Sequence, residues 1–435
     1  MDRPFSVIPQ GESLHPATDF YGLMILRKRC RLQQRSIKIT EVFMEKVKDD
    51  KMRTLIIGNA DSIWVKAFIE NVLIPLGHDV CILDDPRIKC RFEEFYQNNA
   101  VEIVRISGLD NVILRVPEFR VIYRQLITKE ALKRSGSYDN VIVIYVSPFR
   151  MELAELVSTC KTNVFSCFIG SDLMRSSGPI ISELKETFRR VSPCSVCLNR
   201  SLKELFQHYF GYNPNVIEFG KNSQFPYIDE AWERGVDLCK ANIHKKSLGK
   251  ITICIGYNAN PAQQHLKVLN AINRMPQEIK NRLCLILPMT YGRSEEYISN
   301  IKLELEKNGL AGVVLTGFMD KQEMAELWVA SDIFIHAQTT DAVSASLLES
   351  LYAGSIVLNA KWLHYPEFDD WGIETINFES FQDLEDKLNL ILQDTIDRNR
   401  KYQKVLSKVL SEFASWDTCR EKWKVLLQER RNPAL

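Results

Sequence analysis

Near residue 340 the chain gathers acids and hydroxyls at the head of an apolar helical pattern: Thr339-Thr340-Asp341-Ala342-Val343-Ser344-Ala345-Ser346-Leu347-Leu348-Glu349. The pattern predicts a helix from Asp341 to Glu349. Its first amide groups would lack intrahelical acceptors and carry the positive end of the helix dipole, a ready seat for a diphosphate. The hydroxyls of Thr339, Thr340, Ser344 and Ser346 add donors there. Asp341 and Glu349 lie eight residues apart, about 12 Å along a helix at ~1.5 Å per residue. That spacing suits one carboxylate near a sugar and the other near a ribose, with the diphosphate between. A capping Asp and a solvated Glu would explain each acid alone, but not their ordered neighbourhood.

Two more loops carry polar side chains. Gly256-Tyr257-Asn258-Ala259-Asn260-Pro261-Ala262-Gln263-Gln264-His265-Leu266 follows a strand pattern and leads into a helix, and Pro288-Met289-Thr290-Tyr291-Gly292-Arg293 follows the next strand. Asn258, His265, Lys267 and Tyr291 are their candidates for ligand contact; for His265 a core position is the competing reading. Earlier, Asn59-Ala60-Asp61-Ser62 and Gly170-Ser171-Asp172-Leu173-Met174-Arg175 end strands as well. Asp61 and Asp172 are both carboxylates able to orient or deprotonate an acceptor hydroxyl, with helix capping the simpler account of Asp61.

The elements that must position these loops alternate strand and helix from Thr54 onward. Strands are expected at 55–58, 79–83, 101–106, 140–146, 163–169, 191–198 and 215–219, with a helix over 62–76. The alternation restarts at Ile251, with strands at 251–255, 283–287, 312–316, 333–336 and 355–358 and helices starting near Pro261, Ser294, Lys321 and Val343. The fold class is therefore α/β, two doubly wound (Rossmann-like) domains facing across a cleft at the carboxyl ends of their sheets. The expected boundaries are 52–235 for the acceptor-side domain, 247–395 for the donor domain and 396–435 for a helical segment packed on the lobes. The polar stretch 221–246 is the expected connection.

The series Thr316-Gly317-Phe318-Met319, a helix, Ser331-Asp332-Ile333-Phe334-Ile335-His336, the Asp341 to Glu349 stretch and Ala353-Gly354 resembles the donor domain of family 4 glycosyltransferases and their GT-B relatives. The resemblance spans the second domain in order of elements and the first in architecture only. It implies that Glu349 accepts hydrogen bonds from ribose hydroxyls and that Asp341 sits near the transferred sugar. It also implies that Gly317 and Phe318 meet the nucleoside, while Thr339 to Ser346 hold the diphosphate. The chain departs from the family in having Asp where the first acid is usually Glu. It also lacks the Arg and Lys that the Gly256 loop usually supplies to the phosphates, and His265 and Lys267 are the substitutes at hand. The short motifs from Asn258 to Leu266 and from Pro288 to Gly292 are similar to the bacterial transferases that add acetamidofucose from a dTDP carrier to a lipid-linked intermediate.

Composition narrows the classes. With 435 residues the chain exceeds one ordinary core. Its 56 basic and 55 acidic side chains nearly cancel, so no field favours nucleic acid. Eleven cysteines lie mostly in apolar strand-like runs, and the lone Cys194–Cys197 pair lacks a second pair to complete a metal site, so packed thiols are expected. Residues 1–51 read as a basic N-terminal extension, either flexible or a surface touching anionic lipid. Apolar runs reach only strand length and no signal-peptide core opens the chain, so a cytoplasmic protein is expected, with a lipid-linked acceptor bringing it to the inner face of the membrane. No Asp-x-Asp lies in a suitable loop, and Asp84-Asp85 and Asp369-Asp370 read as turn decoration, so transfer without a metal or cofactor is expected.

Together these readings give a transferase moving a sugar from a nucleoside-diphosphate sugar to a polysaccharide or lipid-linked glycan. A sugar-nucleotide epimerase of the same fold would need no acceptor, and release of nucleoside diphosphate only with acceptor separates the two. A non-catalytic donor-binding partner in glycan assembly would keep its role after Asp341→Asn and Glu349→Gln.

Overall fold

The computed structural model describes residues 51–83, 90–104, 137–235, 249–292, 294–393 and 400–431. The extension expected over 1–51 falls, apart from Lys51, outside the described residues, as do Asp84, Asp85, Arg293 and the stretch 236–248.

Seven short apolar runs form the first sheet: β1 (Arg53–Ile57), β2 (Asp79–Leu83), β3 (Glu102–Val104), β4 (Asn140–Ile144), β5 (Asn163–Phe168), β6 (Cys194–Cys197) and β7 (Asn215–Val216). All pairings are parallel, in the order β3-β2-β1-β4-β5-β6-β7. Six more build the second: β8 (Ile251–Ile255), β9 (Leu283–Pro288), β10 (Gly312–Leu315), β11 (Ile333–His336), β12 (Ile356–Ala360) and β13 (Ile376–Phe378). They too are parallel, ordered β10-β9-β8-β11-β12-β13. Helices cover both faces, so central strands such as β4 are buried along their whole length and read as continuous apolar runs. β13 escaped the sequence reading because three residues carry no period. The β6 strand holds Cys194 and Cys197 as buried free thiols, as expected.

In each sheet the chain winds outward from one central strand, then returns to the other side of it. The reversal falls between β1 and β4 and between β8 and β11. Loops leaving these strands diverge and open a crevice at the carboxyl edge. Local sequence fixes several of the flanking helices. Ser147 accepts from the Arg150 amide ahead of Pro148–Val157, Asn199 from the Leu202 amide, Ser294 from the Tyr297 amide, and Asp320 with Glu323 forms a reciprocal capping box. The helix expected over 62–76 is α-helical only at Ile63–Phe68 and then widens into a π-turn at Ile69–Leu73. There the Asn71 carbonyl accepts from Arg420 at 3.4 Å.

The two cores exchange elements. Helix Phe225–Arg234, expected in the first domain, buries Phe225, Ile228 and Ala231 in the second core, with Phe225 stacked on Tyr352 at 3.7 Å. The chain therefore passes between lobes near Gly220–Gln224, at the very start of the polar stretch 221–246 that suggested the linker. Farther on, Gln403–Phe413 packs Leu406 and Leu410 in the second core, and Trp416–Arg431 returns Cys419, Trp423, Leu426 and Leu427 to the first. The two crossings run side by side, with the Lys221 amide donating to the Ala414 carbonyl at 2.8 Å. Gly220 is required there, since a Cβ would overlap the Trp416 ring. No described helix is long and apolar enough to cross a membrane.

Candidate active site

The loop after β11 gathers polar side chains at the cleft, and Asp341 organises it. Its carboxylate is almost completely buried and accepts three hydrogen bonds, from the Ser344 amide at 2.8 Å, the Tyr365 hydroxyl at 2.9 Å and the Tyr257 hydroxyl at 3.3 Å; His336 Nε2 stands 3.4 Å away and is bonded to that Tyr365 hydroxyl at 3.0 Å. Burial alone would raise the Asp341 pKa, but the nearby His336, the Ser344 amide and Tyr365 outweigh it and hold the group at about 2. Bonding of the Ser344 amide to Asp341 also moves the helix. The predicted start at Asp341 is corrected to Ala345, with Ser344 as N-cap and the last helical residue at Tyr352. Asp341 thus stands in the loop, not one helical length from Glu349. The first amides of this helix lack intrahelical acceptors, and its head residues Ser344, Ala345 and Ser346 line the cleft.

Between Asp341 and Ser344 the backbone is strained. Val343 is held at a φ of 54°, a region that β-branched residues rarely enter, at a typical cost of roughly 1–3 kcal/mol. Two contacts hold it there. Its side chain is fully buried, and its carbonyl accepts from Lys221 Nζ of the first lobe at 2.7 Å. Lys221 is itself buried and paired with Glu218, whose carboxyl is pushed up by burial against the pull of Lys221. Neighbouring contacts also join the lobes: Asn199 Nδ2 to the Ala342 carbonyl at 2.8 Å, Arg175 Nε to Thr340 Oγ1 at 2.9 Å and the Arg200 amide to Glu367 at 3.0 Å. Gly170, at a φ of 143°, lets the first lobe approach Ala342, whose Cβ would lie 3.3 Å from an added Cβ.

These contacts enclose a cavity of about 400 Å³ between the lobes. Tyr145, Gly170, Ser171, Arg175 and Lys221 line one side, and Asn258, Tyr291, Thr340, Asp341, Ser344 and Ser346 the other. Six of the side chains expected at the site therefore meet here: Asn258, Tyr291, Thr340, Asp341, Ser344 and Ser346.

Other expected residues stand elsewhere. His265 is fully buried and does not line the cavity; its Nδ1 faces the Tyr297 hydroxyl at 3.3 Å, and burial lowers its pKa to about 4. The reading of His265 as a catalytic or phosphate-binding group is corrected to a core histidine. Lys267 is turned outward, bonded to Gln264 at 2.7 Å with its ammonium over the Phe381 ring, and takes no part in the lining. Asp172 is buried beneath its loop, accepting from the amides of Gly170 at 2.8 Å, Val146 at 2.9 Å and Ile169 at 3.1 Å; burial raises its pKa to about 6 against those bonds. It shapes the loop and does not line the cavity. Asp61 caps no helix but holds Arg91 at 3.0 Å, and Arg91 lies over the exposed Phe318 ring of the other lobe. Gly317 beside it is exposed, and neither it nor Phe318 lines the cavity. Thr339 is also exposed, its amide tied to the Ala262 carbonyl at 2.9 Å. Glu349, one turn into the helix, accepts from Trp328 Nε1 at 2.9 Å, and burial raises its pKa to about 7 against that bond. Asp369 and Asp370 lie in helix Pro366–Trp371 rather than a turn, and Asp370 pairs with Arg200 at 3.0 Å.

His336, Tyr257, Tyr365, Arg175 and Lys221 complete the polar surroundings of this loop. His336, Tyr257 and Arg175 fall inside the motifs of the sequence, whereas Tyr365 and Lys221 are marked only by their position in loops near the strand ends. Among the described residues no three His, Cys, Asp or Glu side chains gather as a metal site.

Two parallel doubly wound sheets, joined by a double crossing and closed over a polar cavity at their carboxyl edges, define the GT-B fold. No protein-family model matches the chain, and no curated protein sequence does. Solved structures do. A glycosyltransferase from Rickettsia africae superposes with a TM-score of 0.63 at 16% identity, over 88% of this chain and 99% of that one. HepE of Anabaena, solved with UDP and glucose, gives 0.62 at 14% identity over 87% and 100%. Sucrose-phosphate synthase of Thermosynechococcus elongatus gives 0.63 at 12% identity over 87% and 99%.

Proposed function

We propose that the chain is a glycosyltransferase that moves a sugar from a nucleoside-diphosphate sugar to a polysaccharide or lipid-linked glycan acceptor. The observation that carries this reading is the interlobe cavity floored by the head of helix Ala345–Tyr352. Unbonded amides, the Ser346 hydroxyl and a rigidly held loop meet there, as an anionic diphosphate requires. Glu349, in the same helix, would take the ribose hydroxyls, with Phe318 and Gly317 along the nucleoside. In transfer, the bond from the anomeric carbon to the phosphate oxygen breaks and its electrons leave with the nucleoside diphosphate. The acceptor oxygen bonds to that carbon and releases its proton to water. The helix amides stabilise the leaving charge, so transfer is expected to persist in a chelator.

Support of a second kind comes from HepE, a structure of the same fold solved with UDP-glucose. Asn258 and Tyr291, which belong to the motifs resembling acetamidofucose transferases, line the cavity and make dTDP a donor base to test alongside uridine.

The test is a thermal-shift panel of UDP, dTDP, GDP, ADP and CDP. A ligand that binds only the folded state raises the unfolding midpoint, by about 2.7 kcal/mol of stabilisation at a hundred times its Kd. A rise with at least one is expected; no rise with any overturns the reading.

A further inference from the structure

Resting on that donor reading, we infer that the cation for the donor's diphosphate comes from the opposite lobe, through Arg175, so that the phosphates are fully held only when the lobes are closed.

The donor lobe lacks the side chains for the task. Of the charged groups lining the cavity, Asp341 is its single contribution, an anion like the phosphates and already held by three donors. The two basic candidates in its first helix point away, His265 into the core and Lys267 over Phe381. Both cations on the cavity wall, Arg175 and Lys221, belong to the first lobe.

These two are not equivalent. Lys221 is buried, with its ammonium committed to Glu218 and to the Val343 carbonyl. It fixes the strained loop and is a positioning residue. Arg175 is exposed at the cavity rim and makes one bond, from Nε to Thr340 Oγ1 at 2.9 Å. Its Nη1 and Nη2 groups have no partner among the described residues, and it pairs with no described carboxylate. The Thr340 bond orients the guanidinium over the loop that leads to the helix head, leaving its terminal donors to an incoming anion. A guanidinium presents paired donors that match phosphate oxygens, and such charge-assisted bonds are the strong ones. Because Thr340 is in one lobe and Arg175 in the other, opening the cleft would withdraw the cation from the phosphates.

The test compares a nucleoside diphosphate with its monophosphate, for instance UDP with UMP or dTDP with dTMP, by titration calorimetry on the full chain. Arg175→Gln is expected to cut the affinity gained from the second phosphate by about tenfold while leaving the monophosphate within about twofold; Arg175→Lys, which keeps the charge, recovers part of the loss. Retained monophosphate binding shows that each variant is folded. If wild type prefers the diphosphate and Arg175→Gln keeps the whole preference, the assignment of Arg175 is overturned and the donor reading stands. If wild type binds no nucleotide, both fall together.

Discussion

Replacing Asp341 by Asn takes one acceptor oxygen from a carboxylate that serves three donors and removes the charge that His336 faces at 3.4 Å. The size of the effect follows from the held pKa. A drop from 3.8 to about 2 corresponds to about 2.5 kcal/mol at about 1.36 kcal/mol per unit. The sign is that of a depressed acid: the stabilisation is complete above 3.8 and is lost as the pH falls through the folded value. At about 2.1 cal/mol/K per residue, unfolding of the interleaved unit over Met52–Leu435 moves its midpoint by about 1 °C per kcal/mol. Asp341→Asn should therefore unfold roughly 2–4 °C below wild type at pH 7. Circular dichroism melts at pH 7, 5, 4 and 3 would show a constant gap down to pH 5 that narrows below 4. Equal midpoints at pH 7, or a gap that widens in acid, would refute the network as the support of this loop.

Glu349 should show the opposite slope. Its pKa is raised from 4.5 to about 7, so the folded state holds a proton the unfolded chain has lost and stability falls as pH rises across that window. Glu349→Gln should gain in midpoint relative to wild type from pH 4.5 to 7, and an unchanged difference would count against a buried acid. For His265, held down near 4, stability is lost as pH falls from 6.5 toward 4. His265→Leu should flatten that loss in the same melts and leave nucleotide affinity within about twofold, a larger drop returning the residue to the donor site. Gly220→Ala should lower the unfolding midpoint by overpacking Trp416, at about 1–3 kcal/mol; a midpoint at or above wild type would show that the indole moves aside freely.

The architecture was legible because strands buried on both faces read as unbroken apolar runs, as in Val141 to Ile144, and because caps such as Ser294 and Asp320 mark their helices. The head of helix Ala345–Tyr352 was legible to within four residues. Asp341 and Ser344 are both good caps three positions apart, and only the fold shows that the first serves the loop and the second the helix. The cross-cleft partners were hidden for a different reason: Arg175 and Thr340 meet across 165 positions, a distance at which spacing carries no information. His265 misled because a helix burying one face treats a polar ring and an apolar one alike when the ring is neutral. Lys221 was hidden by a polar neighbourhood that looks like a linker and is in fact the start of the crossing.

The return of helix Trp416–Arg431 to the first core has a consequence for biosynthesis. Trp423 packs against Phe68 at 5.0 Å and Phe165 at 5.7 Å, aromatic side chains synthesised some 250 to 350 positions earlier, by difference of residue numbers. On a ribosome adding about 5–20 residues per second, the first sheet would stand with that apolar groove open for roughly ten seconds or more while the entire second lobe is made. The earlier lobe is thus the later one to be completed, and its exposed groove is where a chaperone would be most needed during translation.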